Sequence, residues 1–263
     1  MKVGIIGVGN MGGAILRGYI NAGGNPKDIC VCGHHPEYIN AMAEELGITV
    51  SASAEALTAA SDVVVIAVKP KNVAEVLYDI EPAFTADKVL VSIAAGWTIE
   101  ALQQSCSTAA KIVRVMPNTP AMVGSGMTAF SRSEAVTDED YLSVEAIFDG
   151  ISRVTEVPES MMDAVTGLSG SGPAYVYMMI EAMADGAVHC GLPRKQACEF
   201  AAQTVLGAAR MVLETGEHPG SLKDAVCSPG GTTIEGVRIL ERSGLRTGVM
   251  EAVIAACEKS KNL

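Results

Sequence analysis

Glycine recurs at Gly7, Gly9 and Gly12, where an apolar run ends and a helical pattern begins. In Gly7-Val8-Gly9-Asn10-Met11-Gly12, a G-x-G-x-x-G, each glycine has a physical use. Gly7 permits a tight turn, Gly9 lets the backbone approach a pyrophosphate, and Gly12 allows a helix to pack close to its strand. The helix that follows offers unpaired N–H groups and the positive end of its dipole to a phosphate. A glycine turn can be purely structural. At the end of a first strand, however, this one predicts a dinucleotide site formed by Gly7, Gly9, Asn10, Met11 and Gly12.

The acid that usually holds the ribose hydroxyls at the tip of the second strand is absent, because that strand ends Gly33-His34-His35-Pro36-Glu37. His34 and His35 can donate to a 2′-phosphate, and attract it when protonated, which favours NADPH over NADH as cofactor, with NADH a weaker substitute. As solvated loop residues they would do neither. Ala67-Val68-Lys69-Pro70 ends another strand at the edge that faces the ligand crevice of a doubly wound sheet, where Pro70 stiffens the backbone beside a nicotinamide ribose. Lys69 reads equally as a contact to phosphate or substrate and as an ordinary exposed lysine. Cys30, Cys32 and His34 alternate along one strand face, with His35 beside them, and could be metal ligands. A buried strand carries cysteine as a small hydrophobe, and the histidines have the phosphate role, so no metal is expected.

A second cluster lies far along the chain, at Ser228-Pro229-Gly230-Gly231-Thr232-Thr233-Ile234-Glu235. Thr232 with Glu235 predicts a capping box, which leaves the Thr233 hydroxyl free in the first turn. Around it Ser228, Gly230, Gly231 and Thr232 leave backbone N–H groups uncovered, a constellation suited to a small carboxylate, although an ordinary helix start after a glycine turn has the same pattern. Gly167-Leu168-Ser169-Gly170-Ser171-Gly172-Pro173 reads as another such turn opening the longest helix, and aims Ser171 at substrate or at a partner subunit. Apart from His189 and His218 this half has no candidate histidine, and no carboxylate stands out as acid or base. A ketone reductase needs a group to protonate the developing alkoxide. An imine nitrogen arrives protonated or is served by one hydroxyl, so a threonine-lined pocket that holds a carboxylate is sufficient.

The elements that must position these residues change character near Ser160. Before it, apolar strands near Lys2 to Gly7, Asp28 to Cys32, Asp62 to Val68, Lys88 to Ile93 and Lys111 to Val115 alternate with helical stretches, the pattern of a parallel sheet. Further strands are expected near Met127 to Ser131 and Arg153 to Val157, around a helix at Asp138 to Asp149. Runs such as Val63-Val64-Val65-Ile66 read as strands covered on both faces. After it, alanine-rich helical periodicity continues to the end. The expected fold is an α/β Rossmann-type doubly wound sheet over 1–159, followed by an all-α domain over 160–263 that binds substrate and dimerises to cover its apolar helix faces.

Of the 263 residues 49% are hydrophobic but only 4% aromatic, so the core is aliphatic, and the net charge of −11 repels nucleic acid and anionic lipid. No basic patch interrupts that charge, no apolar run reaches membrane-spanning length, and the glycine-broken opening is too short for a signal peptide. Seven cysteines without a repeated spacing suggest reduced thiols and a cytoplasmic protein.

Taken together, these segments resemble the pyrroline-5-carboxylate reductase family from Val3 to about Cys257. The resemblance is carried by the glycine fingerprint, Ala67-Val68-Lys69-Pro70, Ser92-Ile93-Ala94-Ala95-Gly96 and Arg114-Val115-Met116-Pro117-Asn118-Thr119-Pro120. It is carried further by Thr166 to Tyr175 and by the signature Ser228-Pro229-Gly230-Gly231-Thr232-Thr233. It implies that NADPH delivers a hydride to the imine carbon of L-1-pyrroline-5-carboxylate, as the last step of proline synthesis, with Ala94 among the cofactor contacts. Thr233 would hydrogen-bond and protonate the ring nitrogen, while Ser228 to Thr232 bind the carboxylate. Interleaved helical domains would form a homodimer, and dimers would assemble into larger rings. The sequence departs from the family at His34 and His35, where relatives carry serine or arginine, and near Ser53 and Ala54, where it lacks an asparagine used for adenosine. Two other readings stand beside this one. One is a β-hydroxyacid dehydrogenase with Lys195 or Lys223 as catalytic lysine, and the other a non-catalytic NADP-binding sensor that has no need of Thr233.

Overall fold

The computed structural model describes residues 1–106 and 110–262. Their chain forms two compact units, one of Met1–Ser171 together with the C-terminal stretch from Ala255, the other of Gly172–Ile254.

The first unit begins with β1 (Val3–Ile6), α1 (Asn10–Asn21), β2 (Ile29–Cys32), α2 (Pro36–Leu46), β3 (Thr49–Val50), α3 (Ala54–Ala59) and β4 (Val63–Ile66). It continues through α4 (Val73–Ile80), β5 (Val89–Ser92), α5 (Ile99–Ser105), β6 (Lys111–Met116), β7 (Gly126–Arg132), α6 (Asp138–Phe148) and β8 (Ser152–Glu156). One eight-stranded sheet results, in the order β3-β2-β1-β4-β5-β6-β7-β8. All its neighbours pair in parallel except β6 with β7. The order reverses between β1 and β4, which is the switch point where doubly wound sheets bind ligands.

Every residue of β1, β4 and β5 is buried, as their unbroken apolar runs require. Because side chains alternate along a strand, each run feeds two cores. Val3, Val63, Val65 and Val91 pack with Leu16 of α1, Met42 of α2 and Ile147 of α6. Ile6, Val64, Ile66 and Leu90 face the other way, against Leu57 of α3, Leu77 of α4 and Leu102 of α5.

The expected strands and helices of this unit form, with ends shifted by one or two residues. Two elements are additional. β3 is a pair of exposed residues on the sheet edge, too short to leave a pattern. α3 starts where the Ser53 hydroxyl accepts from the Ala56 N–H.

After β8 the chain enters α7 (Met162–Val165), a π-helical turn over Thr166–Gly170, and then α8 (Gly172–His189). The glycine–serine segment is therefore helical and not the open turn that its composition suggests: the Ser171 N–H reaches the Thr166 carbonyl at 2.9 Å. The remaining helices are α9 (Arg194–Thr215), α10 (Pro219–Val226), α11 (Thr232–Arg242) and α12 (Leu245–Ser260). With 22 residues against 18, α9 and not α8 is the longest helix. The compact second unit starts at Gly172, so α7 and the π turn pack within the first unit. The end of α12 belongs there too, and Ser260 Oγ donates to Asp163 at 2.7 Å.

Candidate functional site

At the end of β1, Gly7 takes φ +94°, a left-handed conformation that only glycine adopts without strain, and its N–H donates to the Cys32 carbonyl at 2.8 Å. A Cβ on Gly12 would stand 2.0 Å from the Gly7 carbonyl oxygen, so a side chain there would push α1 off the turn. Gly9 is the N-cap of α1 with open space around it, no side chain caps the helix, and its first turn carries no acid. The first N–H groups of α1 thus point outward, unneutralised and unblocked, and fit a pyrophosphate.

Above this turn lies a cleft of about 570 Å³ lined by Gly9, Asn10, Met11, Ala67, Val68, Lys69, Pro70, Ile93, Ala94, Ala95, Met116 and Pro117. Of the expected cofactor residues, Gly9, Asn10, Met11, Ala67, Val68, Lys69, Pro70 and Ala94 therefore share one crevice at the switch point, while Gly7 and Gly12 are not among its lining. Ile93, Ala95, Met116 and Pro117 were not among the expected residues. They lie at the ends of β5 and β6, which a doubly wound order alone would have brought to the same edge. Lys69 is exposed and makes no ion pair among the described residues. Pro70 is held in place by Trp97, whose Nε1 donates to its carbonyl at 3.0 Å.

His34 and His35 do not line this cleft. They are exposed at the end of β2, where with Pro36, Glu37 and Tyr38 they form a separate hollow of about 540 Å³. Behind them Cys30 and Cys32 are half-buried, and burial pushes both thiols up. That favours the thiol, whereas metal binding needs the thiolate.

The second cluster sits in the other unit. Gly230 takes φ +66° and the Gly231 N–H closes a turn on the Ser228 carbonyl at 3.0 Å. The expected capping box does not form. Gly231, extended at φ −79° and ψ 174°, is the N-cap of α11, so Thr232 is already helical and cannot bond its own first turn. Glu235 turns to Arg238 instead, at 2.9 Å. The outcome leaves α11 without any side-chain cap, its first N–H groups open beside Ser228, Gly230 and Thr232. Thr233 is half-buried, and its hydroxyl has no partner among the described residues. Ser171 lies in the other unit, at the end of the π turn.

Comparison with known proteins bears on what these residues serve. The chain is 49% identical to the pyrroline-5-carboxylate reductase of Escherichia coli, over all of this chain and 98% of that one. It belongs to the pyrroline-5-carboxylate reductase family. The plant enzyme of that name from Pisum sativum is 46% identical over 99% of this chain and 95% of its own. The family described as "Pyrroline-5-carboxylate reductase dimerisation" matches residues 159–263, and "NADP oxidoreductase coenzyme F420-dependent" matches residues 2–96. Among solved structures, the Coxiella burnetii reductase superimposes with TM-score 0.94 at 34% identity, over 99% of this chain and 97% of that one. The Plasmodium falciparum pyrroline carboxylate reductase, solved with NADP bound, superimposes with TM-score 0.88 at 35% identity, over 100% and 97% of the two chains. No helix among the described residues is long and apolar enough to cross a membrane.

Proposed function

We propose that this chain reduces L-1-pyrroline-5-carboxylate to L-proline with NADPH, as the last step of proline synthesis. The observation that carries this reading is the full-length identity to reductases of that name, joined to a dinucleotide turn whose Gly12 admits no side chain. Bound NADPH supplies the hydride. It goes to the imine carbon, the C=N bond becomes a C–N bond, the nitrogen keeps or gains a proton, and NADP⁺ is left.

The chain's own groups hold these reactants. Gly7, Gly9, Asn10, Met11 and Gly12 form the pyrophosphate turn, and Ala67, Val68, Lys69, Pro70 and Ala94 form the wall beside the nicotinamide ribose. His34 and His35, both exposed at the end of β2, take the 2′-phosphate. The substrate carboxylate goes to the uncapped start of α11 at Ser228, Gly230, Gly231 and Thr232, with Ser171 as a further contact. Thr233, whose hydroxyl is uncommitted, donates to the ring nitrogen. His218 serves the fold instead: its Nδ1 accepts from the Gly220 N–H at 3.0 Å and caps α10.

The hydroxyacid dehydrogenase reading finds little support. Lys195 is exposed, and Lys223 is paired with Asp224. The family match over 159–263 supports a homodimer built through the helical unit, and rings of dimers extend the same reading. A cytoplasmic location agrees with the cysteines, which are all free thiols.

The test is NADPH oxidation by purified protein with L-1-pyrroline-5-carboxylate, run beside 2-keto and 3-keto acids. Turnover of the imine alone is expected. NADPH binding without turnover of any substrate would instead favour the sensor. Thr233→Val should lower turnover by about ten- to a thousand-fold if its hydroxyl serves the nitrogen. An unchanged rate would move the proton's source to solvent.

A further inference from the structure

Asn118 follows β6 directly after Met116 and Pro117, two residues of the dinucleotide cleft wall. It is 9% exposed, and both ends of its amide are used. Oδ1 accepts from the Met127 N–H at the start of β7 at 2.9 Å, and Nδ2 donates to the Ser169 carbonyl of the π turn at 3.1 Å.

The second bond has a local cause. In a helix the Ser169 carbonyl would accept from the N–H four residues on, but residue 173 is proline and has none. Proline at 173 thus removes the α-helical donor for this carbonyl, and Asn118 supplies a donor across 51 positions of sequence. The π turn also touches the cleft wall from behind. A Cβ on Gly170 would lie 2.6 Å from Met116 Cε, so a methyl there would have to move the end of the Met116 side chain. Single π turns of this kind gather at functional sites.

We propose that Asn118 is a positioning residue for the hydride transfer: by bonding the Ser169 carbonyl, whose α-helical donor Pro173 removes, it latches the π turn to the Met116–Pro117 wall of the cofactor cleft. The inference rests on the functional reading above. It deepens that reading by assigning what fixes the wall, since a misplaced wall lets the nicotinamide sample poor geometries, and small misplacements are costly in rate.

Asn118→Asp separates the two bonds, because the carboxylate still accepts from Met127 but cannot donate to Ser169. At temperatures where the variant is fully folded, kcat should fall about ten- to a hundred-fold while the NADPH dissociation constant stays within about threefold. The primary isotope effect with deuterated NADPH should rise, since hydride transfer itself is slowed. Amide hydrogen exchange should accelerate at residues 116–118 and 166–171, a readout that needs no turnover. Wild-type kcat and exchange overturn the proposal, and so does a lower kcat with unchanged isotope effect and exchange, which means only fewer active molecules. Should Asn118→Asp not fold, Gly170→Ala tests the contact from the other side. Its methyl displaces the end of the Met116 side chain, so the isotope effect should rise and exchange at residues 116–118 should accelerate; unchanged values of both overturn the latch. A wild-type protein inactive on the imine refutes the functional reading, and the exchange comparison then decides the latch alone.

Discussion

Between Gly9 and Gly12 the same substitution should have opposite structural consequences. An alanine methyl at position 12 would lie 2.0 Å from the Gly7 carbonyl oxygen, a backbone atom that cannot yield without moving the turn, whereas nothing lies within 4 Å of the corresponding point on Gly9. Gly12→Ala should therefore abolish NADPH binding in a fluorescence titration and lower the melting temperature. Gly9→Ala should fold normally and lose only affinity, about tenfold, because a methyl then stands between the helix N–H groups and a pyrophosphate. Equal affinities for the two variants would mean that the phosphate does not sit on this turn. These glycines were legible in the sequence because each has a physical function that depends on its own position. The Thr232 and Glu235 capping signal was misleading for a related reason: the positive φ at Gly230 hands the cap to Gly231, and a residue pattern three apart carries no record of which residue the turn delivers first.

A capping box does form one unit earlier, at α6. The Thr137 hydroxyl accepts from the Asp140 N–H at 3.2 Å, and Asp140 accepts from the Thr137 N–H at 2.9 Å and from Lys111 at the start of β6. The box thus fixes both the entry of α6 and its position against the sheet. Burial pushes the Asp140 carboxyl up, but the Thr137 hydroxyl, Lys111 and the Thr137 N–H outweigh that and hold it below its ordinary value. A carboxyl lowered by folding stabilises the protein above its unfolded pKa, and that contribution fades as the pH falls through the lowered folded value. Thr137→Ala should cost about 1 kcal/mol, or about 2–4 °C in melting temperature, at neutral pH. The gap from wild type should narrow in acid, and a gap that is constant with pH would assign the loss to helix propensity alone. At this scale, long two-sided strands such as Val63-Val64-Val65-Ile66 were legible because burial on both faces leaves no polar residue in the run. The π turn over Thr166–Gly170 was not. Its glycines and serines signal an open turn, whereas its backbone closes on itself from Ser171 to Thr166 and its Ser169 carbonyl bonds Asn118 from 51 positions away, which no local pattern records.

Over the whole molecule the two units differ in how much of their own surface they can bury. The sheet unit has two cores, one on each face. In the helical unit the buried hydrophobic cluster among the described residues is Ala184, Ala197 and Ala201, at the contact of α8 with α9. Large apolar side chains there stay uncovered, with Met178 69%, Phe200 65% and Leu213 66% exposed. Burying a side chain of that size contributes about 1.5–3 kcal/mol, so a unit that leaves several in water lacks much of what holds an ordinary domain together. The dimerisation match over 159–263 points to a second copy of the chain as the missing cover. Sedimentation at micromolar concentration should show a dimer or a larger assembly. The double substitution Phe200→Glu and Leu213→Glu, placing charge on that face, should shift the mass downward and lower the melting temperature. Tyr78→Glu is the control, since Tyr78 is 80% exposed on α4 of the sheet unit and should change neither. If the double variant kept the wild-type mass and melting temperature, α9 would not be the covered face. The helical unit would then have to bury its apolar surface through α8, α11 or α12.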